Sequence, residues 1–144
     1  MTESRGSFVL RHCFVLRHPS FVMAMTSATA QRFAALAGFL AVALGAFGAH
    51  GLKAVLAQNG TLAVWQTAAL YHLVHAVVLL VLAQRAVVAR VPFALFGTGI
   101  VIFSGSLYAL AVTNVKWLGA ITPLGGLCLL AGWLTLAWQP PRCG

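Results

Sequence analysis

Two imidazoles and a phenol stand inside one long apolar run: Tyr71, His72 and His75 within Leu62–Gln84, whose second half is wholly aliphatic. Polar side chains at membrane depth are costly and need partners. Candidates elsewhere in the chain are His50, Ser104, Ser106, Tyr108 and Thr122. Four kinds of chemistry are open to such a set. Hydroxyls and imidazoles can lock helices together, each bond contributing about 0.6 kcal/mol and at most about 2. Histidine, which titrates near neutrality, can pass a proton and so serve a small transporter or proton-linked carrier. Imidazole nitrogens can ligate a metal or a haem, His72 with His75 or either with His50. A serine beside an imidazole can imitate a nucleophilic dyad, although no acid is available to orient the histidine.

Composition narrows these options. The chain has 144 residues, 61% hydrophobic and 7% charged, against about 25% charged in soluble domains. Nine Lys and Arg face one acid, Glu3. Carboxylate-dependent chemistry, such as glycoside hydrolysis or two-metal phosphoryl transfer, has no residues to run on. The positive charges are scattered singly between apolar runs, which suits anionic lipid headgroups and not a nucleic acid. Cys13, Cys128 and Cys143 form neither a disulfide framework nor a metal motif. The expectation is a non-enzymatic membrane protein without a cofactor or metal, its partners being membrane lipids, further copies or a larger membrane complex; a haem-, quinone- or lipid-binding module is the alternative to a carrier.

Four apolar segments position these residues, at about 32–50, 62–84, 91–112 and 117–138, each close to the roughly 20 residues that a spanning helix needs. The predicted fold is all-α, an antiparallel bundle of four transmembrane helices over residues 30–139. A retained first helix is preferred to a cleaved signal, because its apolar run exceeds a signal core. Gly38, Ala41 and Gly45 on the first segment, Gly97 and Gly105 on the third, and Gly125, Gly126 and Gly132 on the fourth are expected where helices approach closely. Trp65 reads as an interfacial anchor, Asn59-Gly60 as a turn, and Pro123 as a point where the fourth helix kinks or restarts.

Counting down from the segment ends puts the eight polar candidates in one half of the bundle. Arg32, Arg85, Arg90 and Arg142 fall at one end and Lys53 and Lys116 at the other, so both termini are expected in the cytoplasm of a bacterial inner membrane. Residues 1–25 repeat FVLRH at 8–12 and 14–18 and read as a disordered extension or an upstream start-codon choice; 140–144 read as a short tail.

Four stretches taken together, Gly45–Leu52 (GAFGAHGL), Trp65 to Ala76 with its Trp-Gln-Thr-Ala and Tyr-His pairs, Phe103–Tyr108 (FSGSLY) and Leu118–Gly126 (LGAITPLGG) followed by Ala131-Gly132-Trp133, resemble the domain of unknown function 423 family of small membrane proteins, which is itself similar to the eukaryotic transmembrane protein 256. The resemblance covers about residues 30–138. It implies a multi-helix integral membrane protein and carries over no activity, substrate or catalytic residue.

Overall fold

The computed structural model describes residues 27–85 and 87–138, so the expectations for residues 1–25, 140–144 and Arg142 lie outside the described residues. The described chain is helical: α1 (Ser27–His50), α2 (Lys53–Asn59), α3 (Leu62–Ala83), α4 (Arg90–Gly99), a π-helical segment (Ile100–Ser104), α5 (Gly105–Thr113), a 3-10 turn (Lys116–Ala120) and α6 (Thr122–Ala137). Four stretches are long and apolar enough to cross a membrane: α1, α3, Arg90–Thr113 and Lys116–Ala137. They are called the first to fourth spans below. The physical reason is local: without water, backbone polar groups must bond within their own segment, and a helix does so residue by residue.

The first span begins at Ser27, ahead of the expected Arg32, because Ala, Thr and Gln in this stretch offer no helix breaker. Pro123 acts as its chemistry dictates. The fourth span enters as a 3-10 turn and restarts as an α-helix at Thr122 with Pro123 in its first positions, where a missing N–H costs nothing. The third span is not one regular α-helix. At Ile100–Ser104 it widens, and the Gly105 N–H reaches back five residues to the Ile100 carbonyl, a local expansion that often marks functional sites.

Each consecutive pair of spans runs antiparallel. Ala30 and Ala34 from the first span, Leu79 and Leu82 from the second, Phe93 and Phe96 from the third and Leu129 from the fourth share one buried cluster. This seals the end of the bundle that carries Arg32, Arg85 and Arg90. A smaller cluster of Leu56, Trp65 and Ala111, with Leu44 and Tyr108 packed on it, closes the end that carries Lys53 and Lys116. The level of His72 and His75 on the second span lies between the two.

A polar strap ties α2 and its turn to the third span. Gly60 takes the left-handed conformation, φ 66°, and Thr61 N–H returns to the Leu56 carbonyl at 2.9 Å. Asn59 Nδ2 donates to the Ala111 and Val112 carbonyls at 3.1 and 2.9 Å, and Thr61 Oγ1 donates to Ala111 at 2.7 Å. These carbonyls belong to the last turn of the third span, where no helical N–H follows to satisfy them. Asn59→Ala combined with Thr61→Val is therefore expected to cost about 1–3 kcal/mol, read as a lower denaturant midpoint in detergent micelles. A midpoint equal to that of the parent would show that water or headgroups replace the strap.

Candidate functional site

Second-span periodicity puts Trp65, His72, His75 and Leu79 on one face, and all four are buried. The structure then divides the eight polar candidates into separate environments instead of one cluster. His50 is exposed at the end of α1, apart from the two buried histidines, so no bis-imidazole pairing with it is built. Tyr71 is also exposed, its ring lying on Phe103 at a centroid distance of 4.7 Å.

His75 is fully engaged. Trp133 Nε1 donates to its Nε2 at 3.3 Å, and Nδ1 lies 2.8 Å from the Tyr71 carbonyl. With Nε2 accepting, Nδ1 must carry the proton and donate it. These two bonds fix the orientation of the ring, with Phe96 at 5.6 Å and Trp133 at 6.2 Å between centroids. Ser106 and Thr122 are similarly spent: Ser106 Oγ donates to the Phe103 carbonyl at 3.0 Å and shares a 2.9 Å bond with Thr122 Oγ1. That bond links the third and fourth spans.

His72, Ser104 and Tyr108 form the second environment. Each has a buried polar atom without a partner among the described residues: His72 Nδ1, Ser104 Oγ and Tyr108 OH. Their rings and neighbours are nonetheless packed, with Tyr108 4.6 Å from Trp65 and 6.2 Å from His72 between centroids. All three residues border a half-open chamber of about 450 Å³ between the first and third spans, whose surface is almost wholly apolar and includes Phe33, Leu36 and Leu40, so the three polar atoms are not exposed on it. Ser104 terminates the π segment, so the irregular turn and the unpartnered hydroxyl coincide.

The small residues sort by what an added Cβ would meet. At Gly125 it would run into the backbone of Phe103, and at Gly132 into the Phe96 ring at 2.8 Å. Gly97 and Gly126 stand at ordinary contact distance from Phe33 and Phe103, 3.6 and 3.7 Å, and Ala41 is buried. Gly38, Gly45 and Gly105 were expected at helix contacts, but a Cβ there meets nothing within 4 Å, because the helix rotation turns them away from the packed seam. Two contacts were not anticipated: Gly48 makes room for the Trp65 indole, and Gly99 for Leu129. Trp65 itself is no interfacial anchor. It is 4% exposed, and its Nε1 donates to the Leu44 carbonyl at 3.1 Å. Trp133 and Phe96 were likewise missed as site residues; the sequence signal available was the Ala131-Gly132-Trp133 run, where a small residue precedes a ring able to donate.

Comparison with known proteins places this arrangement. The model of the family described as "Protein of unknown function (DUF423)" matches residues 44–126. The chain belongs to that family. Among curated relatives, the UPF0382 membrane protein YwdK of Bacillus subtilis is 45% identical over 108 residues, covering 71% of this chain and 87% of that protein. A UPF0382 membrane protein of Haemophilus influenzae is 42% identical over 108 residues, covering 72% and 86%. A UPF0382 membrane protein of Schizosaccharomyces pombe is 35% identical over 115 residues, covering 75% of this chain and 98% of that protein. No solved structure matches. The DUF423 chain is thus a small, all-helical integral membrane protein of a family without an assigned activity, and the family match spans the Gly48–Trp65 contact, the strap, the chamber residues His72, Ser104 and Tyr108, and Gly125.

Proposed function

We propose that this DUF423 protein is a non-enzymatic accessory component of a bacterial inner membrane, with both termini cytoplasmic, that acts by associating with further copies or with a larger membrane assembly. The observation that carries this reading is the engagement of His75 on both ring nitrogens. Its imidazole is a fixed strut between the second and fourth spans, which supports a structural role for this part of the bundle. The sole acid of the chain is Glu3, so the four spans themselves contain no carboxylate. Arg32, Arg85 and Arg90 share one end of the antiparallel bundle and Lys53 and Lys116 the other, an asymmetry that favours the arginine end inside. Alanine richness, and arginine at seven of the nine basic positions, suit the bacterial source.

Small residues with no packing role inside the chain are where a neighbouring helix can approach. Gly38 and Gly45 on the first span are such positions. Gly45→Leu is expected to shift the detergent-purified protein toward smaller species in native mass spectrometry while leaving its helical content unchanged. An oligomer distribution identical to that of the parent would count against association through this face.

A further inference from the structure

We infer that the groove between the first and third spans holds one acyl chain of an anionic phospholipid from the leaflet at the arginine end, with Arg32 at its head group. The occupant is a lipid and not a protein neighbour, so the inference stands apart from the accessory role proposed above. It starts from the way the first span packs. That span lies along the second and meets the third in a ring pair, Phe33 on Phe93 at 6.0 Å between centroids. Beyond this pair the two stand apart. Leu36, Leu40 and Val101 on the rim are 61, 50 and 66% exposed, and they lie along the middle of their spans, so the groove opens sideways to the hydrocarbon phase.

The chemistry of the surface excludes a polar occupant. It is almost wholly carbon, and the unpartnered atoms of His72, Ser104 and Tyr108 are buried behind it. A polar group inside the groove would find no hydrogen-bond partner, which is costly. Methylenes incur no such penalty.

Shape selects among apolar occupants. Phe33 to Leu44 on the first span and Gly97 to Tyr108 on the third each rise about 16 Å at about 1.5 Å per residue, which is half of a hydrocarbon core of about 30 Å. The groove thus runs through one leaflet, from the arginine end to the level where Leu44 and Tyr108 pack onto the Trp65 cluster and close it. A volume of about 450 Å³ over that length gives a cross-section of about 28 Å². A helix about 10 Å across takes about 80 Å², so a neighbouring span does not enter, whereas a single file of methylenes does. Gly105 keeps the third-span wall low, since a Cβ there meets nothing within 4 Å.

Charge selects the head group. Arg32, Leu36, Leu40 and Leu44 recur at every fourth residue, so Arg32 sits on the groove face of the first span, one turn beyond Leu36. It is exposed, and the described residues include no Asp or Glu. A phosphate carried by a chain in the groove comes level with this guanidinium, and a net negative head group gains from it what a zwitterionic one does not.

The test uses the full chain purified in detergent and titrated separately with dimyristoyl phosphatidylglycerol and dimyristoyl phosphatidylcholine, which share their chains and differ in net charge. Native mass spectrometry counts the adducts. One saturable phosphatidylglycerol adduct per chain is expected, about fivefold tighter than phosphatidylcholine, the worth of about one basic residue at an anionic surface. Arg32→Gln changes an exposed side chain and is expected to bring the two lipids to equal affinity. Gly105→Leu fills the groove and should weaken both adducts about tenfold or more, with the helical content of the parent. Leu130→Phe adds bulk to a lipid-facing position of the fourth span, 61% exposed, and should leave both unchanged. Oligomer size, read in the same spectra, reports on the accessory role separately. The proposal is overturned by the absence of a saturable adduct, by equal affinity of the parent for the two lipids, by a preference that survives Arg32→Gln, or by adducts that Gly105→Leu weakens no more than Leu130→Phe does.

Discussion

Trp65→Ala is expected to destabilise the bundle by about 3–5 kcal/mol, the range for removing a large aromatic from a packed interior. The indole joins three elements at the lysine end. It occupies the space left by Gly48 on the first span, donates to the Leu44 carbonyl, and packs on Tyr108 of the third span. Truncation leaves a void in the small cluster with Leu56 and Ala111, and these residues are fixed by the Asn59 and Thr61 strap, so they collapse into it poorly. Trp65→Phe retains most of the packing and loses the hydrogen bond, and is expected to cost about 1–2 kcal/mol. The measurement is unfolding of both variants in mixed micelles, followed by far-UV circular dichroism. A loss below about 1 kcal/mol in Trp65→Ala would return this residue to the surface role of an interfacial tryptophan.

The second large effect is predicted at Gly125. A side chain there collides with the Phe103 amide nitrogen and lies 2.7 Å from its Cα. Backbone cannot swing aside as a flexible side chain can, and this backbone lies within the π segment that joins the two halves of the third span. Gly125→Ala is expected to lose about 3 kcal/mol, the upper end for overpacking, and Gly125→Leu to abolish the ordered bundle. Gly126→Ala provides the internal comparison. Its Cβ meets only the Phe103 ring at 3.7 Å, so the same change one residue along should stay within about 1 kcal/mol of the parent. Equal stability in the two alanine variants would mean that the third and fourth spans do not approach at Gly125.

Gly125 was expected at a helix contact, but its partner Phe103 and the burial of Trp65 were not legible in the sequence, and the chain shows why. Segment existence was legible: four apolar runs, the Asn59-Gly60 turn and the restart at Pro123 all follow from backbone hydrogen bonding, which each helix settles within itself. Burial of His72 and His75 was legible as well, since polar atoms have no good place against lipid. The partners of these residues were not. His75 is satisfied by Trp133, 58 residues away, and by a carbonyl of its own helix, whereas the expectation grouped it with Ser104 and Tyr108 by depth alone. His50, placed at the boundary of the same half of the bundle, is exposed.

What the sequence by itself determined is therefore the solvent of this protein, its four spans, their antiparallel order and its family. What only the tertiary structure decided is the rotation of each span: which glycines face a neighbour, as Gly48, Gly99, Gly125 and Gly132 do, and which, like Gly38, Gly45 and Gly105, do not. It also decided that His75 is engaged while His72, Ser104 and Tyr108 are left with unpartnered atoms beside a chamber. In water an apolar stripe marks the buried face of a helix, but in a bilayer the lipid-facing and protein-facing sides are equally apolar. Rotation is then fixed by the fit of one large residue against one small one across spans, and that fit is a property of pairs distant in the chain.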